Sequence, residues 1–489
     1  MADRVDMFIN GQKCQASDGA TLEVLNPATN ELLAQVPAGT AEDVQQAVGA
    51  ATEAHESGEW RSMPAADRGS VLLKAAEIIT SRADEFARME TMDVGKPIIE
   101  SEAFDIPMAA EHLTYYGRLV VDLLGETIPA MPGVLDYTLR EPMGVIGGII
   151  PWNFPCVLAC RKLGPALAAG NCVVIKPATW APLTTLMLAD VFQEAGLPSG
   201  VLNIVSGSGE TVGAALTDHP AVRKVSFTGS TEVGCTIMRR ASDEAKCVSL
   251  EMGGKSPAVV LADADIDGAV EGITFGAFLA QGECCCAATR VCIDASVHDE
   301  FVEKFVAKTK AIQVGDPLDP DTKMGPLVHR EHWQSVSDYI KKGVDEGATI
   351  LCGGPDKPTG LEAGNYLSPT IFANVTPDMT IYREEIFGPV ITITAFEGID
   401  ALAQAANDTD YGLAASIWTQ DLRDAHNLAA QIAAGTIWLN VHNFVFSQAP
   451  YGGYKQSGIG RELGREGLLA YTETKNVIAW LADEPFAWY

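Results

Sequence analysis

The chain has 489 residues, 47% hydrophobic and 20% charged, with 46 Gly and 26 Pro; that is ample apolar material and too long for one simple core, so two or three domains are expected. Its 34 basic and 64 acidic residues give a net charge of -30, which repels phosphate backbones and anionic lipid and disfavours nucleic acid and membrane as partners. A local basic pocket can still hold an anionic cofactor or substrate.

No stretch approaches the ~20 apolar residues needed to span a bilayer; even Gly144 to Leu158 is broken by Pro151 and Pro155. The N-terminal MADRVDMFINGQ lacks the apolar run of a signal peptide, and the 11 cysteines are an odd number, so a reducing cytoplasm is expected. Neither a C-x-x-C pair nor H-E-x-x-H occurs, and no metal is expected.

Taken in order, residues 8 to 36 read as short strands and turns. At Thr40-Ala41-Glu42-Asp43 a capping sequence opens a helix whose apolar face is Val44, Ala47, Val48 and Ala51. Helices are predicted near 65–90 and 100–123, then an extended arm from Thr127 to Arg140, where Pro129 and Pro132 suit an edge. Between 144 and 262 compact apolar runs alternate with helical stretches. Gly144–Ile150, Cys172–Lys176, Val201–Val205 and Lys224–Phe227 read as strands, with helices over Leu158–Ala169 and Thr184–Ala195. This predicts a doubly wound parallel sheet that binds a nucleotide. A second α/β unit is predicted from about 255 to 445, with strands at Ala258–Leu261, Val390–Ala395 and Gly435–Asn440. Its helices carry Phe301, Phe305 and Ile312, and span Asp400–Asn407. The tail from Tyr471, ending Phe486-Ala487-Trp488-Tyr489, is hydrophobic enough to pair with a neighbouring subunit.

Several stretches could carry chemistry. Phe278 to Arg290 contains Cys284-Cys285-Cys286 after Gln281-Gly282-Glu283. Adjacent Cα atoms are too close for ordinary disulfide geometry, and side chains of a helix or strand diverge, so at most one of the three thiols is expected to face a given pocket. Ser206 to Gly213 nearly spells a dinucleotide fingerprint but has one residue too many before its last glycine. Phe227-Thr228-Gly229-Ser230-Thr231-Glu232-Val233-Gly234 follows a predicted strand and opens a helix, a better cradle for a pyrophosphate. Asn153, between Pro151 and Pro155, could donate to an oxyanion, and Glu251, ahead of Gly253-Gly254, could act as a general base. There is no G-x-S-x-G elbow.

The ordered series PWNFP, KPA, FTGSTEVG, LEMGGKSP, QGECC, EEIFGPV and APYGGYKQSG, spread over essentially the whole chain, strongly resembles the NAD(P)-dependent aldehyde dehydrogenase superfamily, in its hydrolytic, non-acylating branch. The resemblance implies a Rossmann-like cofactor domain (1–120 and 143–252), a second α/β catalytic domain (253–446) and a β-strand oligomerisation arm (121–142 and 471–489) of a homodimer or homotetramer. It implies Cys285 as nucleophile, Asn153 with the Cys285 N–H as oxyanion donors, and Glu251 as the base that hydrolyses a thioester to the acid. Lys176 falls on the adenosine-ribose lysine, also counted with the catalytic set. Gly229 and Ser230 fall on the pyrophosphate loop, Glu385 and Phe387 on the nicotinamide ribose. Ile149, Pro151, Trp152, Thr179, Gly209 and Phe227 complete the implied cofactor set, and Tyr115, Phe154, Arg161, Phe444 and Phe446 the substrate set.

Three departures from the family's pattern carry expectations. Thr179 stands where NAD-preferring members carry Glu. A carboxylate there would repel a 2′-phosphate by ~4 kcal/mol at 4 Å and an effective ε of ~20, so NADP use at least comparable to that of NAD is expected. Arg161 stands where many members have Trp, which favours a small polar or anionic aldehyde over a trimethylammonium one. Against that, Leu279 replaces a second arginine, and Asn443 to Pro450 looks more like the betaine- and amino-aldehyde branch. Glu283 replaces the usual Gln and is expected to point away from the thiol. The remaining alternatives are a CoA-acylating enzyme and a retired homologue kept as a structural protein.

Overall fold

A computed structural model describes residues 3–486 and 488; Ala487 and Tyr489 of the predicted tail lie outside the described residues. The predicted capping box forms: Thr40 Oγ1 accepts from the Asp43 N–H and the Asp43 carboxylate accepts from the Thr40 N–H, starting the helix Ala41–Ser57. The single helix predicted near 65–90 is two, Ala65–Ser81 and Ala83–Val94, broken at Arg82. The next runs from Ile98 to Leu119 and includes a π turn at Ser101–Asp105, a local widening of the kind that marks functional sites.

The nucleotide-type sheet has five parallel strands in the spatial order Cys247–Glu251, Val222–Thr228, Val145–Ile149, Cys172–Lys176, Leu202–Ile204. Met7–Ile9 and Gln12–Cys14 extend one side; Gly458–Ile459 pairs antiparallel on the other. Every residue of Val145–Ile149 and Cys172–Lys176 is buried, as their unbroken apolar character requires of a sheet covered on both faces. From Val145–Ile149 the chain first adds strands on one side and then returns to place Val222–Thr228 on the other. The carboxyl ends of these two strands therefore flank a topological switch point, where open α/β sheets bind ligands.

A second sheet of seven strands has Pro257–Val260 and Arg290–Asp294 at its centre, flanked by Val390–Phe396 and Ala414–Trp418. Its core is separate from that of the first sheet. A third sheet joins Thr127–Ile128 and Val134–Pro142 to Thr472–Trp480, which forms one edge. The fold is thus mixed α/β, as expected. Residues 447–470, for which the sequence suggested no domain, return to the first sheet through Gly458–Ile459. Among the described residues no helix is long and apolar enough to cross a membrane.

Candidate active site

A cavity of about 560 Å³ lies between the carboxyl ends of the first sheet and the loop leading into Arg290–Asp294. One wall is the start of the helix Pro155–Ala168. Pro155 at its first turn is preset for helical φ, and Phe154, Val157, Leu158 and Arg161 all line the cavity, the i, i+3, i+4, i+7 stripe of one helix face. Lys162, one residue out of that stripe, turns away. Its Nζ donates to Thr228 Oγ1 at 2.8 Å and to the Glu462 carboxylate, a buried pair behind the cavity. Phe104, Asp105 and Met108 supply the facing wall.

All three thiols line this cavity, against the expectation that only one could. Their sulfurs lie within 4.8 Å of one another, because the segment is an irregular turn, neither helix nor strand, so the side chains converge. Their environments differ. Cys284 and Cys286 are buried with sulfurs 3.6 Å apart, and Cys286 Sγ is 2.9 Å from Asn443 Oδ1. Cys285 is the more exposed of the three, its sulfur 3.7 Å from the Tyr451 hydroxyl. The Cys284 thiol and burial push the Cys285 thiol up from its ordinary range, so a nucleophilic thiolate needs a base or an electrostatic change on ligand binding.

Asn153 is buried at the end of the loop from Val145–Ile149. Its Nδ2 donates to the Glu283 carbonyl at 2.8 Å, which fixes the amide beside the thiol loop and leaves its second N–H free. Glu251 ends its strand with both carboxylate oxygens buried and without a hydrogen-bond partner among the described residues. Burial, then the nearby Glu462 charge, raises it well above the ordinary carboxylate range, while Lys162, Arg161 and Arg461 oppose. Gly452 makes room for it: a Cβ there would sit 2.7 Å from Glu251 Oε1. The Glu283 side chain is buried too and accepts from the Val328 N–H at 3.0 Å and from Gln281 Nε2 at 3.3 Å, so its carboxylate is engaged away from Cys285.

At the other end lie Pro151, Trp152, Gly229, Ser230, Glu385 and Phe387. Ser230 caps the helix Thr231–Ala241, whose N-terminus is suited to a pyrophosphate. Glu385 Oε1 accepts from the Gly254 N–H at 2.8 Å, and a Cβ on Gly253 would fall 2.0 Å from its other oxygen, so the glycine pair is what lets this carboxylate reach the sheet. Phe387, at φ 58°, meets Trp152 edge-on, and its carbonyl accepts from His332 Nε2 at 2.7 Å. A carboxylate for ribose hydroxyls, a capped helix N-terminus and glycines that admit a close approach fit a dinucleotide. Lys176 is buried further along the sheet with Nζ on the Pro177 carbonyl at 2.7 Å; burial lowers its pKa to about 8. Thr179 Oγ1 donates to the Gly207 carbonyl at 3.2 Å, beside the turn that starts at Gly209. Ile149 and Phe227 are buried close to the ends of their strands.

The cavity thus gathers Cys285, Asn153 and Glu251 with most of the expected cofactor residues, and Phe154, Arg161 and Phe444 from the substrate set. It does not gather Tyr115, which packs edge-on against Tyr116, or Phe446, which is exposed to solvent. Lys176, Thr179, Gly209, Ile149 and Phe227 also lie outside its lining. Arg161 pairs with no acid among the described residues; its guanidinium lies 5.4 Å over the Tyr451 ring, with Nε unbonded. Trp180, His332 and Tyr451 line the cavity unforeseen; Tyr451 lay within a recognised motif, but nothing in the residue pattern around Trp180 or His332 pointed to the site.

The family profile described as the aldehyde dehydrogenase family matches residues 14–477. A mitochondrial aldehyde dehydrogenase of Homo sapiens is 46% identical over 473 residues, covering 96% of this chain and 91% of that protein. An NAD+ complex of aldehyde dehydrogenase from Bacillus cereus superposes with a TM-score of 0.96 at 42% identity, over 98% of this chain and 97% of that one. Betaine aldehyde dehydrogenase from Staphylococcus aureus, also an NAD+ complex, gives 0.97 at 36% identity, over 99% and 96%.

Proposed function

The chain belongs to the aldehyde dehydrogenase family, and on that premise we propose that it oxidises an aldehyde to the carboxylic acid with NAD or NADP, using Cys285 as nucleophile. The observation that carries the reading is the convergence of Cys285, Asn153 and Glu251 on one cavity whose far end holds Glu385, Gly229 and Ser230. The Cys285 sulfur adds to the aldehyde carbon. The oxygen that gains charge is held by the free Asn153 N–H and the Cys285 backbone N–H, donors placed by the loop before any charge develops. The dinucleotide, when bound along Glu385, Gly229, Ser230 and Lys176, supplies the two-electron acceptor. An acyl group then remains on Cys285 as a thioester. Glu251, ionised, takes a proton from water that attacks this carbon, and the thiolate leaves as the acid forms. A base able to hydrolyse the thioester favours this route over transfer to CoA.

We read the chain as a cofactor domain (1–120 and 143–252), a catalytic domain (253–446) and an arm (121–142 and 471–489), a division supported by the eight-stranded sheet, the seven-stranded sheet and the sheet that joins Val134–Pro142 to Thr472–Trp480. The open edge of Thr472–Trp480, with Ile478 and Trp480 exposed, serves self-association.

For the substrate, the walls favour an aldehyde with an apolar body: Phe104, Met108, Phe154, Leu158, Phe275 and Leu279 surround the thiol end. Arg161 supports a second reading, an aldehyde carrying a carboxylate or hydroxyl, and its cation opposes a trimethylammonium group. Thr179 leaves the adenosine-ribose position without the carboxylate that would repel a 2′-phosphate. The test is the efficiency on hexanal, benzaldehyde, succinic semialdehyde, lactaldehyde and betaine aldehyde with each cofactor, for the parent and Thr179→Glu. NADP efficiency within tenfold of NAD, falling at least tenfold in Thr179→Glu, is expected. A parent efficiency with NADP a hundredfold below NAD contradicts the cofactor reading, and betaine aldehyde as preferred substrate contradicts the role of Arg161.

A further inference from the structure

The loop that presents Cys285 begins with two consecutive non-glycine residues in the left-handed region, Ala280 (φ 48, ψ 46) and Gln281 (φ 56, ψ 24). L-residues avoid this conformation, so two in succession persist only when their surroundings hold them. The turn is closed from within by the Glu283 N–H donating to the Ala280 carbonyl at 2.8 Å. From outside, the Ala280 N–H donates to Glu100 Oε2 at 2.9 Å, a contact across 180 residues of sequence. Glu100 sits where the helix Ile98–Glu100 passes into the π turn Ser101–Asp105, and so far has no part in the reaction. Lys96, fully buried, donates to Asp105 Oδ2 at 2.7 Å and places its ammonium 3.8 Å from the centroid of Phe154, the neighbour of Asn153. The buried Lys96–Asp105 pair and the half-buried Glu100 beside it therefore touch both the loop that carries the thiol and the residue beside the oxyanion amide.

We propose that Glu100 is a positioning residue: by accepting the Ala280 N–H it holds the left-handed Ala280–Gln281 turn, and through that turn it fixes where the Cys285 sulfur points. The inference rests on Cys285 as nucleophile. What the turn needs from Glu100 is an acceptor rather than a charge. Burial pushes the carboxyl up to about 8 against the pull of the Lys96 ammonium, and a carboxyl oxygen accepts in either protonation state. An amide of the same shape should serve as well.

The test compares Glu100→Met, which keeps the length and loses the acceptor, with Glu100→Gln and with Glu100→Met combined with Ala280→Gly, since glycine adopts a positive φ without help. Three quantities are measured on the full chain: kcat with saturating aldehyde and NAD, the rate of inactivation by iodoacetamide, and the dissociation constant for NAD. Glu100→Met is expected to lower kcat and the inactivation rate at least tenfold together, with NAD affinity within twofold of the parent. Glu100→Gln and the double variant are expected to stay within threefold of the parent on all three. If Glu100→Met does not fold, Glu100→Asp, too short to reach the Ala280 N–H, is read in its place. Parent-like kcat and inactivation in Glu100→Met, or a loss that neither Gln nor Ala280→Gly relieves, overturns the inference. With Cys285→Ser inactive, either result counts against Glu100 alone; a Cys285→Ser variant that still turns over removes the reading beneath it.

Discussion

The two ends of the cavity are built by different means. The cofactor end is assembled from the termini of regular elements: the strands Val145–Ile149, Val222–Thr228 and Cys247–Glu251 stop there, and the helix Thr231–Ala241 starts there with its serine cap. The nucleophile end is an irregular loop with a strained turn at Ala280–Gln281, pinned by contacts from Glu100, Asn153 and Val328. Regular elements place a site wherever the sheet topology dictates. An irregular loop must be held residue by residue, and it can bring three adjacent thiols to one cavity where no helix or strand could.

The comparison predicts that damage at one end leaves the other intact. The largest effect is expected from Cys285→Ser: turnover of any aldehyde, followed at 340 nm, falls by at least a thousandfold, while NAD affinity stays within twofold because the strand ends that form its cradle are untouched. Cys284→Ser and Cys286→Ser are expected to keep turnover within about tenfold. A parent-like rate in Cys285→Ser would mean that a neighbouring thiol carries the reaction.

A smaller effect, of about 10²–10⁴-fold on steady-state kcat, is expected from Glu251→Gln, in keeping with loss of a general base. A burst of NADH equal to one acyl-enzyme per site should precede it, because thioester formation does not need this carboxylate. The pH dependence has a fixed sign. In the proposed hydrolysis Glu251 works ionised, and burial raises its pKa, so kcat is expected to rise with pH through a midpoint above the ordinary carboxylate range, and Glu251→Gln to flatten that limb. An unchanged limb in the variant would assign the ionisation elsewhere.

This division also explains what could be read from residues alone. The capping box at Thr40–Asp43, the buried strands Val145–Ile149 and Cys172–Lys176, and the helix after Pro155 follow from local pattern, and the structure has them within a few residues. The Gly229-Ser230 turn was legible for the same reason, as a glycine between a strand and a capped helix. The thiol loop was not: diverging side chains are a property of regular backbone, and Cys284 to Cys286 are in none. Apolar spacing continues across Arg82, so local pattern does not mark the break between Ala65–Ser81 and Ala83–Val94. Tyr115 and Phe446 belong to the substrate set that the resemblance implies, yet one faces Tyr116 and the other solvent. Trp180 and His332 reach the cavity from distant segments, which only the tertiary fold brings together.

In the proposed reaction one thiol of three, Cys285, carries the acyl group. This is tested most directly by mixing Glu251→Gln with aldehyde and NAD, quenching in acid and measuring fragment masses of the peptide spanning Phe278 to Arg290. The acyl mass is expected on Cys285 alone, at close to one per chain. Acyl mass on Cys284 or Cys286, or none anywhere while NADH is formed, would contradict it.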